Sequence, residues 1–203
     1  MKRQSLTLAL LATVLASSAC AQNAQYGGAK NVPEFQPAFE NQTRAPLLTS
    51  NVTLNVEDVA TGLSNPWGIA TLPDGGYLVT EREGRLRYIT AQGELIDAPI
   101  TGVPKVHNVR QGGLLDVALA EDFSTSRVIF LTYAKPMGGN KSSTAAARAV
   151  LSQDMRSLSD VKDIFVQQPP SPTPMHYGSR IIPHKGFAYI TTGEHSSRQE
   201  REF

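Results

Sequence analysis

From residue 51 onward the chain is written in short apolar runs separated by turn signals. "VTLNVEDVA" alternates apolar and polar positions over residues 52–60, the period-two pattern of a half-buried strand. "WGIATL" follows, then the turn "PDGG", then "YLVTER". The dipeptide "EG" leads into "RLRYIT", and "AQGE" into "LIDAPI". Strand, Pro-Asp-Gly turn, strand, tight turn and strand together predict a meander. The theme returns as "LLDVALAEDF" followed by "RVIFLTYA", and again as "SRIIPHKG" followed by "FAYITTGE". Each time an apolar run ends at a turn residue (Asp74, Asp122 or His184) and an aromatic-bearing strand follows. These turn residues are 48 and 62 positions apart, a loose repeat of small meanders. Such a repeat predicts the blades of a β-propeller, so the fold class is all-β. One segment competes with that reading. "KSSTAAARAVLSQDM" is rich in alanine, whose propensity favours a helix. The blade pattern wants a strand around residues 147–152, and the strand is the expectation, because the neighbouring segments impose the architecture.

The pattern is different before residue 51. Lys2 and Arg3 precede an apolar stretch from Leu6 to Leu15, and small residues follow. This is the layout of a secretory signal peptide over residues 1–21, and it predicts a periplasmic or secreted protein. The apolar stretch is too short to be a transmembrane helix. Ala19-Cys20-Ala21 fits a cleavage site that leaves Gln22 first; lipidation at Cys20, giving an anchored lipoprotein, is the alternative. Cys20 is the sole cysteine, so plain cleavage leaves a chain without thiol or disulfide, one that must rest on its core or on a bound metal or cofactor. Residues 22–50 hold neither a period of two nor one of 3.6 and read as a flexible linker, with Phe35 and Phe39 as candidates for docking on the domain over 51–203.

Composition narrows the function classes. The formal net charge is +1 and only 18% of residues are charged. A nucleic-acid footprint needs a basic stripe, so no nucleic-acid partner is expected. The chain contains no Gly-x-Gly-x-x-Gly after a strand, no P-loop, no His-Glu-x-x-His and no Gly-x-Ser-x-Gly, so the commonest nucleotide, zinc-protease and serine-hydrolase readings have no support.

Two places could carry chemistry. In "VHNVRQGGLLDVAL", Gly112 and Gly113 let the backbone turn sharply and place Gln111 at a loop tip before a buried strand. From the residues alone it is either an exposed loop glutamine or a ligand-facing one. In "PPSPTPMHYGSRIIPHKGFAYITTGEH", Pro169, Pro170, Pro172 and Pro174 stiffen the approach to His176, which stands where a strand begins. A neutral imidazole there can act as a general base, or it can simply bond backbone at a strand start. His107 lies in a loop, His184 in a turn and His195 near the chain end, and all three rank lower. Glu194 and His195 are adjacent, a spacing at which two residues rarely share one ion, so no metal site is expected from these residues.

Taken together, "NPWGIATLPDGGYLVTEREGRLR", "QGGLLDVALAEDF" and "MHYGSRIIPHKGFAYITTGE" resemble the soluble, periplasmic PQQ-dependent aldose sugar dehydrogenases of the glucose/sorbosone dehydrogenase family. The resemblance covers about residues 52–195, with three motifs in the family's order. It implies a six-bladed β-propeller holding pyrroloquinoline quinone (PQQ) and calcium on its axis, which oxidises the anomeric hydroxyl of an aldose to a lactone and passes electrons to an external acceptor. It also implies that His176 is the general base, that Gln111 reaches the cofactor, and that Arg180 is structural. Two positions depart from the family. Met175 stands where relatives carry Asp or Asn, and Arg110 where glycine is common.

Residues 51–203 hold roughly three blade-sized units, whereas propellers typically close with about 4 to 8 blades. A ring of three would leave unpaired edges. The sequence therefore reads as an incomplete set of about three blades of a six-bladed family, with the family's cofactor-gripping arginines and calcium ligands beyond its end. "SSRQEREF" carries no alternating strand. A non-catalytic exported propeller module that binds without turnover is the alternative function.

Overall fold

The computed structural model describes residues 32–36, 38–39 and 50–196. The signal-peptide reading over 1–21 and the terminal "SSRQEREF" beyond residue 196 lie outside the described residues, as does most of the 22–50 linker. The chain divides into two compact units, Met1–Val56 and Glu57–Phe203. In the first, the described residues form no strand or helix, and Phe35 and Phe39 are exposed. Among the described residues no helix is long and apolar enough to cross a membrane.

The second unit contains nine strands and one helical turn among its described residues. The strand expected over 52–60 does not form. Val52, Leu54 and Val56 alternate as a strand should, but they are 70%, 80% and 85% exposed. Alternation supplies only a face; a strand also needs a hydrogen-bonded neighbour and a surface to bury that face against. "LIDAPI" likewise forms no full strand, and contributes isolated bridges from Leu95 to Ile89 and from Ile100 to Leu86.

The first sheet is the predicted meander: β1 (Pro66–Thr71), β2 (Tyr77–Glu81) and β3 (Arg85–Ile89), antiparallel in chain order. The Pro-Asp-Gly-Gly turn closes because Asp74 Oδ1 accepts the N–H of Gly76 at 3.0 Å and Gly75 takes a φ of +89°. The second sheet runs β4 (Leu114–Leu119), β5 (Val128–Gly138), β6 (Lys141–Leu151) and β7 (Leu158–Val166), with the single helical turn α1 (Phe123–Ser126) between β4 and β5. β6 settles the alanine segment as strand. Ala145, Ala146, Ala147 and Ala149 are fully buried, so packing on both faces overrides helix propensity. β7 has no counterpart in the sequence reading, because two register shifts against β6 break its period of two. The third sheet is the hairpin β8 (Gly178–His184) and β9 (Phe187–Thr192). The core lies between the first two sheets, around Leu78, Leu86, Leu114, Ile129, Leu131 and Leu151.

The three sheets repeat one detail that the turn spacing only hinted at. The first strand of each carries a register shift at its start, between Pro66 and Ile69, Leu114 and Val117, and Gly178 and Ile181. At each shift a backbone N–H is freed from the ladder, and a threonine on the next strand accepts it: Gly68 to Thr80, Asp116 to Thr132 and Arg180 to Thr191, at 2.8, 2.9 and 2.9 Å. The same hydroxyls then join sheet to sheet. Thr80 donates to the carbonyl of Leu115, and Thr132 to that of Ser179 at 2.5 Å. Each buried hydroxyl is thus satisfied as both acceptor and donor, as a buried polar group must be. The architecture is that of part of a β-propeller, with blades in chain order.

Candidate active site

The starts of β1, β4 and β8 and the end of β2 meet at one end of the sheets, around a pocket of about 290 Å³. Trp67, Arg82, Gln111, Leu115, His176 and Gly178 line it. The structure brings together the two site residues expected from sequence. The Pro-rich loop is tied to the start of β6 by paired backbone bonds of 2.9 Å between Ser142 and Ser171. Its last proline carbonyl, Pro174, accepts the N–H of Gln111 at 3.2 Å. Gln111 Oε1 in turn accepts the N–H of His176 at 2.8 Å. Gln111 is therefore a strut for His176 as well as a pocket-lining amide.

His176 has a φ of +50°, and its side chain is 44% exposed, so the ring is open to a ligand. Its Nδ1 lies 2.8 Å from Glu194 Oε1. An ionised carboxylate only accepts, so Nδ1 donates, and in a neutral imidazole the lone pair is then on Nε2. In the sequence Glu194 stands out only as the neighbour of His195. Its signal lay in the hairpin register. Gly178 pairs with Thr192, and His176 and Glu194 stand two residues beyond that pair on either side. Gly193 allows this approach, since a Cβ there would meet the His176 carbonyl at 1.7 Å.

Behind the exposed pair stands a buried one. Tyr177 and His195 follow His176 and Glu194 in the chain, and their rings meet edge to face at 4.9 Å. The Tyr177 hydroxyl lies 2.6 Å from Ser142 Oγ, and Thr144 donates to the Tyr177 carbonyl at 2.7 Å. Burial pushes the Tyr177 phenol above its ordinary pKa, against the Ser142 bond, which lowers it. Gln167 Nε2 donates to the Gly193 carbonyl at 3.1 Å, which leaves Gln167 Oε1 to accept from His195 Nε2 at 3.0 Å. His195, placed near the chain end by the sequence reading, is 1% exposed and belongs to the packing that holds the site.

Arg180 lies beside the pocket, packed on one of its lining residues. It donates to buried Asp116 at 2.6 Å, and its guanidinium carbon lies 5.1 Å from the Trp67 ring centre. Burial raises the Asp116 pKa, against the Ile181 N–H and the Arg180 charge, which lower it. Met175 is half-buried. Arg110 has a φ of +51°, the conformation that glycine adopts freely. Among the described residues no three His, Cys, Asp or Glu side chains gather as a metal ion needs. A larger groove of about 780 Å³ lies between the β4–β5 connection and the β8–β9 hairpin. Two of its titratable groups, Glu121 and His184, bond each other at 3.2 Å, and Asp122 and Arg148 also line it.

The family model for Glucose / Sorbosone dehydrogenase matches residues 63–202, and thus takes in Gln111, His176 and Glu194. The chain belongs to the glucose/sorbosone dehydrogenase family. It is similar to the aldose sugar dehydrogenase YliI of Escherichia coli, with 41% identity over 154 residues, covering 75% of this chain and 41% of the relative. Among solved structures it resembles a glucose dehydrogenase crystal structure (39% identity, TM-score 0.70, covering 73% of this chain and 44% of that one). The apo soluble aldose sugar dehydrogenase of Escherichia coli gives 40% identity and a TM-score of 0.68, over 72% and 43% of the two chains. The PQQ-bound aldose sugar dehydrogenase of Streptomyces coelicolor gives 27% identity and a TM-score of 0.61, over 71% and 42%. The chain thus spans about two fifths of the length of these relatives.

Proposed function

We propose that this chain carries the proton-abstracting part of a PQQ-dependent aldose dehydrogenase, which oxidises an anomeric hydroxyl to a lactone. The observation that carries the reading is His176, held from its backbone by Gln111 and from its ring by Glu194, at the edge of an open pocket. The donor set suits the quinone. Trp67 offers a flat aromatic surface and Gln111 an amide whose Nε2 bonds no described residue. Arg82 lines the same space with a buried Nε that has no acceptor among the described residues. PQQ, when bound, supplies the two-electron sink. His176 Nε2 takes the proton of the sugar hydroxyl. Glu194 keeps Nδ1 protonated and stabilises the imidazolium that results. The buried Tyr177–His195 stack keeps both loops in place while charge develops. Calcium, which the resemblance implies, has no three-ligand cluster among the described residues, so no step is assigned to it.

The proposal extends to the whole chain. Residues 1–21 direct export and residues 51–203 form the dehydrogenase domain, with an external acceptor taking the electrons. Lipidation at Cys20 and plain cleavage before Gln22 are separated by mass spectrometry of the exported N-terminus.

Purified chain with PQQ, Ca²⁺, an aldose and a redox dye tests the reading. Dye reduction by the wild type that is lost in His176→Ala would establish catalysis by this chain. Wild-type chain that binds the sugar and reduces no dye would refute catalysis in favour of a binding module.

A further inference from the structure

We propose that Arg82 is the residue of this chain that receives a carboxylate of the quinone, an inference that rests on the PQQ reading above. Arg82 sits at the junction of the first two sheets and is pinned there by its backbone. Its N–H donates to the Asn65 carbonyl at 3.1 Å, and its own carbonyl accepts from Leu114 at 3.0 Å. Gly113 presses on that carbonyl so closely that a Cβ would lie 2.0 Å from it. The backbone is therefore fixed at the pocket, and only the side chain is left to act.

The neighbouring arginines are committed. Arg85 pairs with Glu81 and Glu83. Arg87 pairs with Glu81 and donates to the carbonyls of Ile96 and Asp97. Arg180 pairs with Asp116. The Arg82 guanidinium makes no hydrogen bond or ion pair with any described residue, and its Nε is buried. A buried cationic donor left without an acceptor is costly, so its position is explained by a partner that arrives with a ligand. A guanidinium presents a planar fork that matches a carboxylate in two parallel bonds. A neutral sugar's hydroxyls can accept from the fork but leave its charge unmatched. A planar tricarboxylate therefore fits this corner of the pocket better than the substrate does.

Trp67 lines the same pocket and is the sole tryptophan of the chain, so its fluorescence reports occupancy directly. Titration of the full chain with PQQ is expected to quench Trp67 saturably in the wild type. Arg82→Gln should raise the apparent Kd by about tenfold or more, since it removes a charge-assisted pair, and Arg82→Lys should recover part of the loss by restoring charge without the fork. Without ligand, Arg82→Gln should melt no lower than wild type, because it removes a buried Nε–H that has no acceptor among the described residues. Equal affinity in wild type and Arg82→Gln would overturn the assignment of Arg82 while leaving the quinone reading in place. A lower melting temperature for Arg82→Gln without ligand would make the residue structural and would also overturn the assignment. Absence of saturable quenching in the wild type would overturn the quinone reading, and the assignment with it.

Discussion

Glu194 Oε1 stands 2.8 Å from His176 Nδ1, and the residues that follow each of them, Tyr177 and His195, meet ring to ring at 4.9 Å in the interior. Two adjacent loops thus contribute one accessible polar pair and one buried aromatic pair. The buried pair fixes the loops; the accessible pair sets which ring nitrogen of His176 carries the proton. Nitrogen-detected NMR of the chain should show His176 protonated on Nδ1 when neutral, and Glu194→Gln should weaken that preference. In the dye assay the same change is expected to lower kcat by about tenfold or more with KM little altered, as for a group acting through the base. A change confined to KM would place Glu194 in substrate binding instead.

Gly193 is where close approach leaves no room. Gly193→Ala drives a methyl group into the His176 carbonyl, and the obstacle is backbone, which cannot swing aside. The variant should lose about 3 kcal/mol, the upper end of overpacking costs, in a urea unfolding experiment. Unchanged stability would mean that the loop relaxes freely and does not define the position of His176.

Thr132 joins two blades through one oxygen, accepting from Asp116 and donating to Ser179. Thr132→Val keeps the shape and strands both backbone groups in the interior, for an expected loss of about 2–4 kcal/mol. Thr132→Ser should restore most of it. Equal losses in both variants would assign the cost to packing rather than to the hydroxyl.

Glu81 sets a pH dependence. Burial alone raises its pKa, but the Ser64 N–H together with Arg85 and Arg87 outweighs burial and leaves it below the ordinary 4.5. A carboxylate held lower in the fold than in the unfolded chain stabilises above the unfolded value, and that stability is lost as pH falls through the folded one. Wild-type stability should therefore decline below about pH 4.5, while Glu81→Gln should be less stable at neutral pH and flatter in acid. A buried pair broken on one side typically costs about 3–5 kcal/mol, which bounds the neutral-pH loss. Parallel acid profiles for the two proteins would remove Glu81 from this role.

Much of the fold was legible because its signals are local. Apolar runs that end at acidic, polar or Gly-containing turns placed β1 to β5, β8 and β9, and the "QGG" and "PMHYG" stretches marked Gln111 and His176. The failures share one cause. "VTLNVEDVA" has the alternation of a strand and no partner, β7 has a partner and a broken alternation, and partnership is not local information. The alanine segment is a strand because β5 and β7 pair along it and its alanines are buried, against its own propensity.

By itself the sequence determined the class of fold, the order of its meanders, the rigid approach to His176 and the family motifs, all properties of contiguous residues. Only the tertiary structure decided that Glu194 faces His176, that Gln111 holds its backbone, that His195 is interior and that Arg82 Nε is buried without an acceptor among the described residues. Those relations join residues up to 65 positions apart, as between Gln111 and His176. They depend on register, bulges and sheet-to-sheet packing, which come into existence only when the strands meet.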